Sequence, residues 1–182
     1  MIFRRILTAL LLFLPGLVTA TELLARADER MLMPEPQATH LFDITEVLVK
    51  KSERRLYLLN GEEKVKSYRI SLGDNPVGHK LYEGDKRTPE GSYLLDWRNS
   101  NSDFYKSIHI SYPSPEDRDA AEAWGLKPGG SIMIHGLPND AGDLAFAFTG
   151  LDWTNGCIAV TNEEIDEIWE LVDDGTPIRI LP

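Results

Sequence analysis

The chain has 182 residues, of which 42% are hydrophobic and 26% are charged. These values fit one globular domain and exclude an intrinsically disordered or collagen-like chain. The formal net charge of −10 argues against a nucleic-acid partner, because binding to phosphates requires clustered lysines and arginines.

The first 20 residues have the three regions of a secretory signal peptide. Two arginines precede an uncharged, mostly apolar run of 13 residues (6–18), and Val18-Thr19-Ala20 fits a cleavage site after Ala20. A spanning helix needs about 20 apolar residues, so a retained anchor is the alternative. Because this leader carries two arginines and no acid, its removal would leave 162 residues with a net charge of −12. We therefore expect export to the periplasm or cell envelope.

Residues 21–43 predict an N-terminal arm or linker. A short helical pattern over residues 22–32 is followed by Met33-Pro34-Glu35-Pro36-Gln37, and its prolines block continuation of a helix. The predicted catalytic domain then covers residues 44–182.

From residue 44 onward, short apolar strands alternate with turns. A hairpin is predicted at Asn60-Gly61, a dipeptide that suits positive φ angles. The predicted strands cover residues 47–49, 55–59, 65–71, 92–97, 107–112, 131–134, 157–160 and 177–181.

Helices are few in this pattern. One is predicted from Pro115 to about Trp124, because proline suits the first helical position. A helical turn is predicted over residues 144–148. Another helix follows Thr161, which has capping-box spacing to Glu164 before an apolar stripe. Many strands without a regular strand–helix alternation predict a mainly β fold, a β-sandwich with a few short helices.

Cys157 is the only cysteine of the chain. Exported proteins usually pair their cysteines, so an unpaired one is a candidate reactive or intermolecular thiol. The alternative is core packing, because free cysteines are among the most buried residues. Gly156 allows close approach of backbone N–H groups, and Thr154-Asn155 places the thiol where a loop enters a strand. The pattern favours a thiol at the rim of the sheet.

A nucleophilic thiol needs a base or a positive neighbour near neutral pH. His135 ends a buried strand and precedes Gly136, an arrangement that can place a polar side chain at the rim of a sheet. Its position alone leaves a structural role equally open. The other histidines lie in the arm, in a Gly-rich loop and in a predicted strand: His40, His79 and His109.

Three sequence blocks together resemble the L,D-transpeptidase catalytic domain family (YkuD-like). Ile134-His135-Gly136, followed by Thr154-Asn155-Gly156-Cys157-Ile158-Ala159-Val160-Thr161-Asn162, resembles its signature, which is usually H-G, then S/T-H-G-C-I/V-R, then an Asn. Residues 84–91 resemble its G-x-x-x-T-P-x-G loop, and residues 49–58 resemble its opening hairpin. The resemblance covers roughly residues 45–181 and implies an L,D-transpeptidase-like β-sandwich.

The resemblance implies that Cys157 is the nucleophile, that His135 is its general base and that the Gly136 carbonyl orients the imidazole. Backbone N–H groups of the Asn155-Gly156-Cys157 turn, next to Thr154, would hold the oxyanion. The implied substrate is a peptidoglycan stem tetrapeptide, which forms a thioester acyl-enzyme and releases D-Ala. The implied acceptor is the amine of a second stem peptide or of a lipoprotein lysine. No cofactor or metal is implied, and we expect a monomer.

Two positions depart from the family signature. Asn155 stands where the family usually has a second histidine, and Ala159 stands where it usually has an arginine. Loss of that guanidinium removes a cation suited to a substrate carboxylate. Arg87 is a candidate substitute, with a solvated loop charge as the alternative.

These departures leave the thiol chemistry intact but leave three other functions open. One is an L,D-carboxypeptidase that uses water as the acceptor, and another is a non-catalytic cell-wall-binding module. The third is a metal site formed by Cys157, His135 and His109, although these residues include no closely spaced ligand pair.

Overall fold

The computed structural model describes residues 43–182. The predicted leader, almost all of the predicted arm and His40 lie outside the described residues. Eight strands, two α-helices and one 3-10 helix form this part of the chain. The strands are β1 (Glu46–Lys50), β2 (Arg55–Asn60), β3 (Glu63–Arg69), β4 (Gly91–Ser102), β5 (Tyr105–Ile110), β6 (Met133–His135), β7 (Ile158–Ala159) and β8 (Pro177–Leu181). The helices are α1 (Pro115–Glu122), the 3-10 helix (Gly142–Phe148) and α2 (Asn162–Leu171).

The strands pair in the order β3-β2-β1-β8-β4-β5-β6-β7. Two neighbouring pairs are parallel, β1 with β8 and β6 with β7, and the other pairs are antiparallel. β4 joins two halves, because residues 91–94 pair with β8 while residues 95–102 pair with β5. Its register with β5 shifts between Leu95 and Arg98, and such irregularities bend a strand. The mainly β prediction with few short helices is confirmed.

One apolar cluster contains side chains from both halves of the sheet and from α2, including Val49, Leu56, Leu95, Ile134, Ile158 and Ile165. The start of α2 agrees with the predicted capping box. Thr161 Oγ1 accepts a hydrogen bond from the Glu164 N–H (3.2 Å), and Glu164 Oε2 accepts one from the Thr161 N–H (2.9 Å). Among residues 43–182, no helix is long and apolar enough to cross a membrane.

Strand boundaries differ from the prediction next to the two signature blocks. β6 begins at Met133 instead of residue 131, and Ser131 adopts a positive φ of 54° that a strand does not accommodate. β7 contains only Ile158 and Ala159, so Cys157 lies directly before the strand. These differences place both Ser131 and Cys157 in irregular backbone, where atoms not used in strand pairing can face a cleft.

The loop between β3 and β4, residues 73–90, is held by a buried lysine at the end of β1. Lys51 is 2% exposed, and its Nζ donates hydrogen bonds to the carbonyls of Gly78 (2.7 Å) and Thr88 (2.9 Å). It also pairs with Glu90 Oε1 at 2.8 Å. Burial lowers the pKa of Lys51, and the hydrogen bond to Glu90 opposes this shift. Lys51 therefore fixes the 73–90 loop at three points.

We expect the Lys51→Met substitution to lower the free energy of unfolding by about 3 kcal/mol, because it leaves two buried carbonyls and a half-buried carboxylate without their cation. Urea unfolding measures this loss. Lys50→Met is the matched control, since Lys50 pairs with Glu53 at the surface (2.9 Å). The urea midpoint of this variant should equal that of the unmodified chain. Equal effects of the two substitutions would contradict the anchoring role of Lys51.

Candidate active site

Parallel pairing of β6 with β7 brings the segments that carry His135 and Cys157 side by side. The register pairs Ile134 with Ile158 and His135 with Ala159. Cys157 lies one residue before β7, and within residues 43–182 no hydrogen bond joins its sulfur to the His135 ring.

The thiol of Cys157 is half-buried and lies against backbone groups. Its Sγ contacts the carbonyl oxygen of Ser131 at 3.5 Å, with the thiol as donor. Burial raises the pKa of Cys157, while a hydrogen bond from the Met133 backbone and the positive charge of Lys80 oppose this shift. The resting sulfur is therefore a neutral thiol at neutral pH.

The imidazole of His135 is only 3% exposed. Its Nδ1 lies 2.7 Å from the carbonyl oxygen of Gly136. Since a carbonyl can only accept, Nδ1 carries the proton and Nε2 keeps its lone pair. Phe104 (4.6 Å between ring centroids) and Trp153 (5.7 Å) flank the ring. Burial lowers the pKa of His135 to about 4, although the Gly136 hydrogen bond opposes this effect.

The carbonyl of Gly136 is held by close packing on the other side of the chain. A Cβ at this position would lie 2.6 Å from Asn162 Oδ1 and 3.1 Å from the Tyr105 side chain. Asn162 Oδ1 also accepts a hydrogen bond from the Leu137 N–H at 2.9 Å. Sequence reasoning quoted Asn162 within the signature but assigned it no role, and it did not identify Phe104. Only the position of Asn162 directly after the capping residue could have indicated its role.

The turn before Cys157 is braced by the hydroxyl of Thr154. Thr154 Oγ1 donates to the Cys157 carbonyl (2.8 Å) and accepts from the Gly156 N–H (3.1 Å). The Gly156 N–H is thus already hydrogen-bonded to Thr154, whereas the sequence predicted that it would donate to the oxyanion. Within residues 43–182, the N–H groups of Asn155 and Cys157 donate to no other group. These two donors remain for a ligand.

Gly156 itself has a φ of +127°, a conformation that favours glycine. A Cβ there would lie 2.7 Å from the backbone carbonyl oxygen of Arg87. The 73–90 loop therefore packs directly against the nucleophile turn, and any side chain at position 156 would displace one of the two segments.

A cleft of about 820 Å³ lies near the nucleophile turn, but neither Cys157 nor His135 lines it. Ser131 and Asn155 form part of its wall, and residues 128–130 contribute backbone. Its charged lining consists of three lysines and one glutamate, which are Lys80, Lys86, Lys127 and Glu83. Two of these lysines are neutralised by carboxylates, because Lys80 pairs with Asp85 at 2.8 Å and Lys86 pairs with Asp74 at 2.7 Å.

The guanidinium of Arg87 does not line this cleft. Its Nη1 donates to the His79 carbonyl (3.3 Å), and the group lies against Gly78. The predicted substitution of Arg87 for the missing arginine of the signature therefore has no geometric support. The structure instead brings lysines to the cleft, which sequence reasoning did not consider.

The remaining described histidines have structural partners. His79 Nδ1 accepts from the Glu90 N–H (3.0 Å), and its Nε2 lies 3.0 Å from Asp117. His109 lies 2.6 Å from Asp96 and stacks on a tryptophan. Residues 43–182 contain no group of three His, Cys, Asp or Glu side chains that could hold a metal. The proposed Cys157–His135–His109 metal site therefore has no support in this part of the chain.

Comparison with known proteins agrees with this geometry. The family model of the L,D-transpeptidase catalytic domain (YkuD) matches residues 44–180. An Escherichia coli K12 protein named "Putative L,D-transpeptidase YafK" is 32% identical over 164 residues, covering 86% of this chain and 55% of the relative. The chain thus spans about half the length of this curated relative.

Solved structures show the same relationship. The "helical cell shape determining protein Pgp2" from Campylobacter jejuni is 26% identical and aligns with a TM-score of 0.57, covering 77% of this chain and 48% of that one. Bd1075 from Bdellovibrio bacteriovorus is also 26% identical, with a TM-score of 0.53 and coverage of 79% and 50%. On the family match and these similarities, the chain belongs to the L,D-transpeptidase catalytic domain (YkuD) family.

Proposed function

We propose that this domain is a cysteine-dependent L,D-transpeptidase that acts on peptidoglycan stem tetrapeptides. The observation that supports this proposal is the pairing of β6 with β7, which sets the segments of His135 and Cys157 side by side, with the imidazole oriented by the Gly136 carbonyl. Family membership supports the substrate class. The names of the E. coli relative and of Pgp2, an L,D-transpeptidase and a cell-shape protein, agree with cell-wall chemistry.

The chemistry begins from a neutral pair. Burial raises the pKa of the Cys157 thiol and lowers that of the His135 imidazole, so the thiol is the acid and the imidazole is a free base. As sulfur attacks the carbonyl carbon of the amide before D-Ala, His135 Nε2 accepts the thiol proton. The N–H groups of Asn155 and Cys157 then donate to the oxyanion that forms.

Collapse of this intermediate breaks the C–N bond. The imidazolium of His135 donates its proton to the departing amine of D-Ala, and the acyl group stays on Cys157 as a thioester. The amine of a second stem peptide or of a lipoprotein lysine then attacks the thioester and gives its proton to His135. The tetrahedral intermediate then collapses to the new amide and expels the sulfur, which takes the proton back from His135 as the thiol is restored.

One lysine of the cleft suits such a substrate. Stem peptides carry carboxylates on D-Ala and on diaminopimelate, and Lys127 lines the cleft with no salt bridge among the described residues. Action on the cell wall also requires export, and we propose that residues 1–20 direct it.

Water is the competing acceptor. The same thioester would yield an L,D-carboxypeptidase if water reached it ahead of an amine. The products of the two reactions differ in mass. A crosslinked product marks transfer, whereas free tripeptide marks hydrolysis.

We expect Cys157→Ala to abolish D-Ala release from a disaccharide-tetrapeptide, by at least about 10³-fold, because no other group can carry the acyl chain. Mass spectrometry of the unmodified protein should detect an acyl adduct on Cys157. Circular dichroism of the variant controls for folding. Absence of both the adduct and D-Ala release in the unmodified protein would instead favour a non-catalytic binding module.

Stability should depend on pH through His135. Its pKa is about 4 in the folded state and about 6.5 when unfolded, so the unfolded chain binds the proton first as the pH falls. Stability is therefore highest above about pH 6.5, and about 3 kcal/mol of it is lost as the pH falls to about 4. Urea unfolding between pH 4 and 7 should show that the free energy of unfolding decreases more steeply with falling pH in the unmodified chain than in His135→Asn. An equal pH dependence of the two proteins would contradict a buried, neutral imidazole.

Gly156→Ala should slow acylation of Cys157 by about 10²-fold, because the new methyl group would displace the nucleophile turn from the Arg87 carbonyl. The rate of adduct formation measures this effect. Gly175→Ala is the control, since Gly175 also has a positive φ (+90°) but open space around it. If both substitutions slow acylation equally, the contact with the 73–90 loop has no role.

A further inference from the structure

The imidazole of His135 packs against an aromatic cluster that consists of Phe104, Phe148 and Trp153. Phe104 comes from the turn between β4 and β5, whereas Phe148 and Trp153 come from the segment between β6 and β7. The ring centroids of Phe104 and Trp153 lie 4.6 Å and 5.7 Å from that of His135, and 5.9 Å from each other. Phe148 packs against Trp153 at 5.1 Å. The imidazole and its two nearest rings therefore form a compact triangle.

The backbone of Phe104 is tied to the same glycine that orients the imidazole. The Phe104 carbonyl accepts a hydrogen bond from the Gly136 N–H (3.1 Å), and the Gly136 carbonyl accepts one from His135 Nδ1 (2.7 Å). The next residue, Tyr105, has a positive φ of 66°, which is unfavourable for a bulky side chain. Its N–H donates to Asn139 Oδ1 at 2.9 Å and so holds the turn. Fixed backbone therefore places the Phe104 ring against the imidazole.

The Nε2 atom is the nitrogen of the imidazole that stays open. The residue as a whole is 3% exposed, and Nδ1 is hydrogen-bonded to the Gly136 carbonyl. Within residues 43–182, Arg87 Nε is the one buried side-chain nitrogen or oxygen that lacks a hydrogen-bond partner. His135 Nε2 also has no partner among these residues but is not buried in this way, so the small exposed part of the ring includes Nε2.

The aromatic cluster disfavours an ordered water molecule at this imidazole. A buried water typically forms about three hydrogen bonds, and phenylalanine side chains offer none. The indole N–H of Trp153 already donates to the Phe148 carbonyl at 3.1 Å. An amine on a peptide is held by the rest of that peptide, and the exposed part of Phe104 (36%) offers apolar surface to it. The surroundings of His135 therefore suit a peptide amine better than water.

We propose that Phe104 is a positioning residue that, together with Trp153, restricts access to His135 Nε2 and thereby favours acyl transfer to an amine over hydrolysis. The inference rests on the proposed function and specifies the class of acceptor. In both reactions the acceptor attacks the thioester carbon and gives a proton to Nε2, and the C–S bond breaks. An amine yields an amide and water yields a carboxylic acid, and in each case the sulfur takes the proton back from His135.

The ionisation of His135 distinguishes this role from simple packing. Burial lowers the pKa of His135 to about 4, and the Gly136 hydrogen bond opposes this shift. Loss of the Phe104 ring should admit water and weaken the effect of burial, whereas a change in packing elsewhere should not. The titratable groups on the adjoining elements are paired with each other or neutral: Lys106 with Asp166, Arg54 with Asp152, and the Cys157 thiol.

The first test is an NMR titration of His135 in the whole chain without substrate, with the signal assigned from His135→Asn. We expect Phe104→Ala to raise the pKa of His135 by about one unit, because water then reaches the ring. Phe104→Tyr should keep the value of the unmodified chain, since it retains the aromatic ring. Phe146→Ala is the matched control, because Phe146 is 75% exposed and lies outside the aromatic cluster, and it should leave this pKa unchanged.

The second test is the product ratio with disaccharide-tetrapeptide as donor and acceptor. Phe104→Ala should raise the ratio of free tripeptide to crosslinked product by about tenfold, and Phe146→Ala should not change it. If Phe104→Ala does not fold, Phe104→Leu should shift both readouts in the same direction by less. An unchanged pKa, an unchanged product ratio, or equal changes in Phe146→Ala would overturn the proposal. The titration needs no peptide, so failure of the transpeptidase proposal would appear separately, as absent D-Ala release by the unmodified chain.

Discussion

The parallel pairing of β6 with β7 is the constraint on which the site depends. It sets Ile134 beside Ile158 and thereby brings the segments that carry the thiol and the imidazole together. Both isoleucines are fully buried in the core, so a shift by one residue would expose apolar surface and turn Cys157 away from His135. On the other side of β7, Ser71 and Ala159 exchange two backbone hydrogen bonds of 2.9 Å each. The register that buries the core is thus the register that assembles the site.

The surroundings of the two reactive groups differ in a way that matters for chemistry. Aromatic rings pack against His135, whereas Cys157 lies against the carbonyl of Ser131. In the proposed reaction, proton transfer from sulfur to imidazole would create two charges, and the Gly136 carbonyl would stabilise the positive one. Burial sets the resting state, and fixed dipoles and charges would lower the energy of the ion pair.

The two departures from the family signature have physical consequences that the fold makes visible. Ala159 lies in β7 and is almost fully buried, so its small side chain serves packing next to Ser71. Asn155 lines the cleft and keeps a backbone N–H free of partners among the described residues. The lysines of the cleft come from other parts of the chain, Lys80 and Lys86 from the 73–90 loop and Lys127 from the segment before β6.

Local sequence determined much of this protein. Helix α2 follows from a capping box, the hairpin follows from a turn dipeptide, and His135-Gly136 and Cys157 stand out because strand ends and glycines are readable over a few residues. Tertiary structure alone decided that Lys80 is buried against Asp85 and that the Arg87 guanidinium lies against Gly78 instead of in the cleft. The physical reason is that burial and pairing depend on segments that are distant in sequence. Those contacts form only when the sheet closes, so no short stretch of residues contains the information.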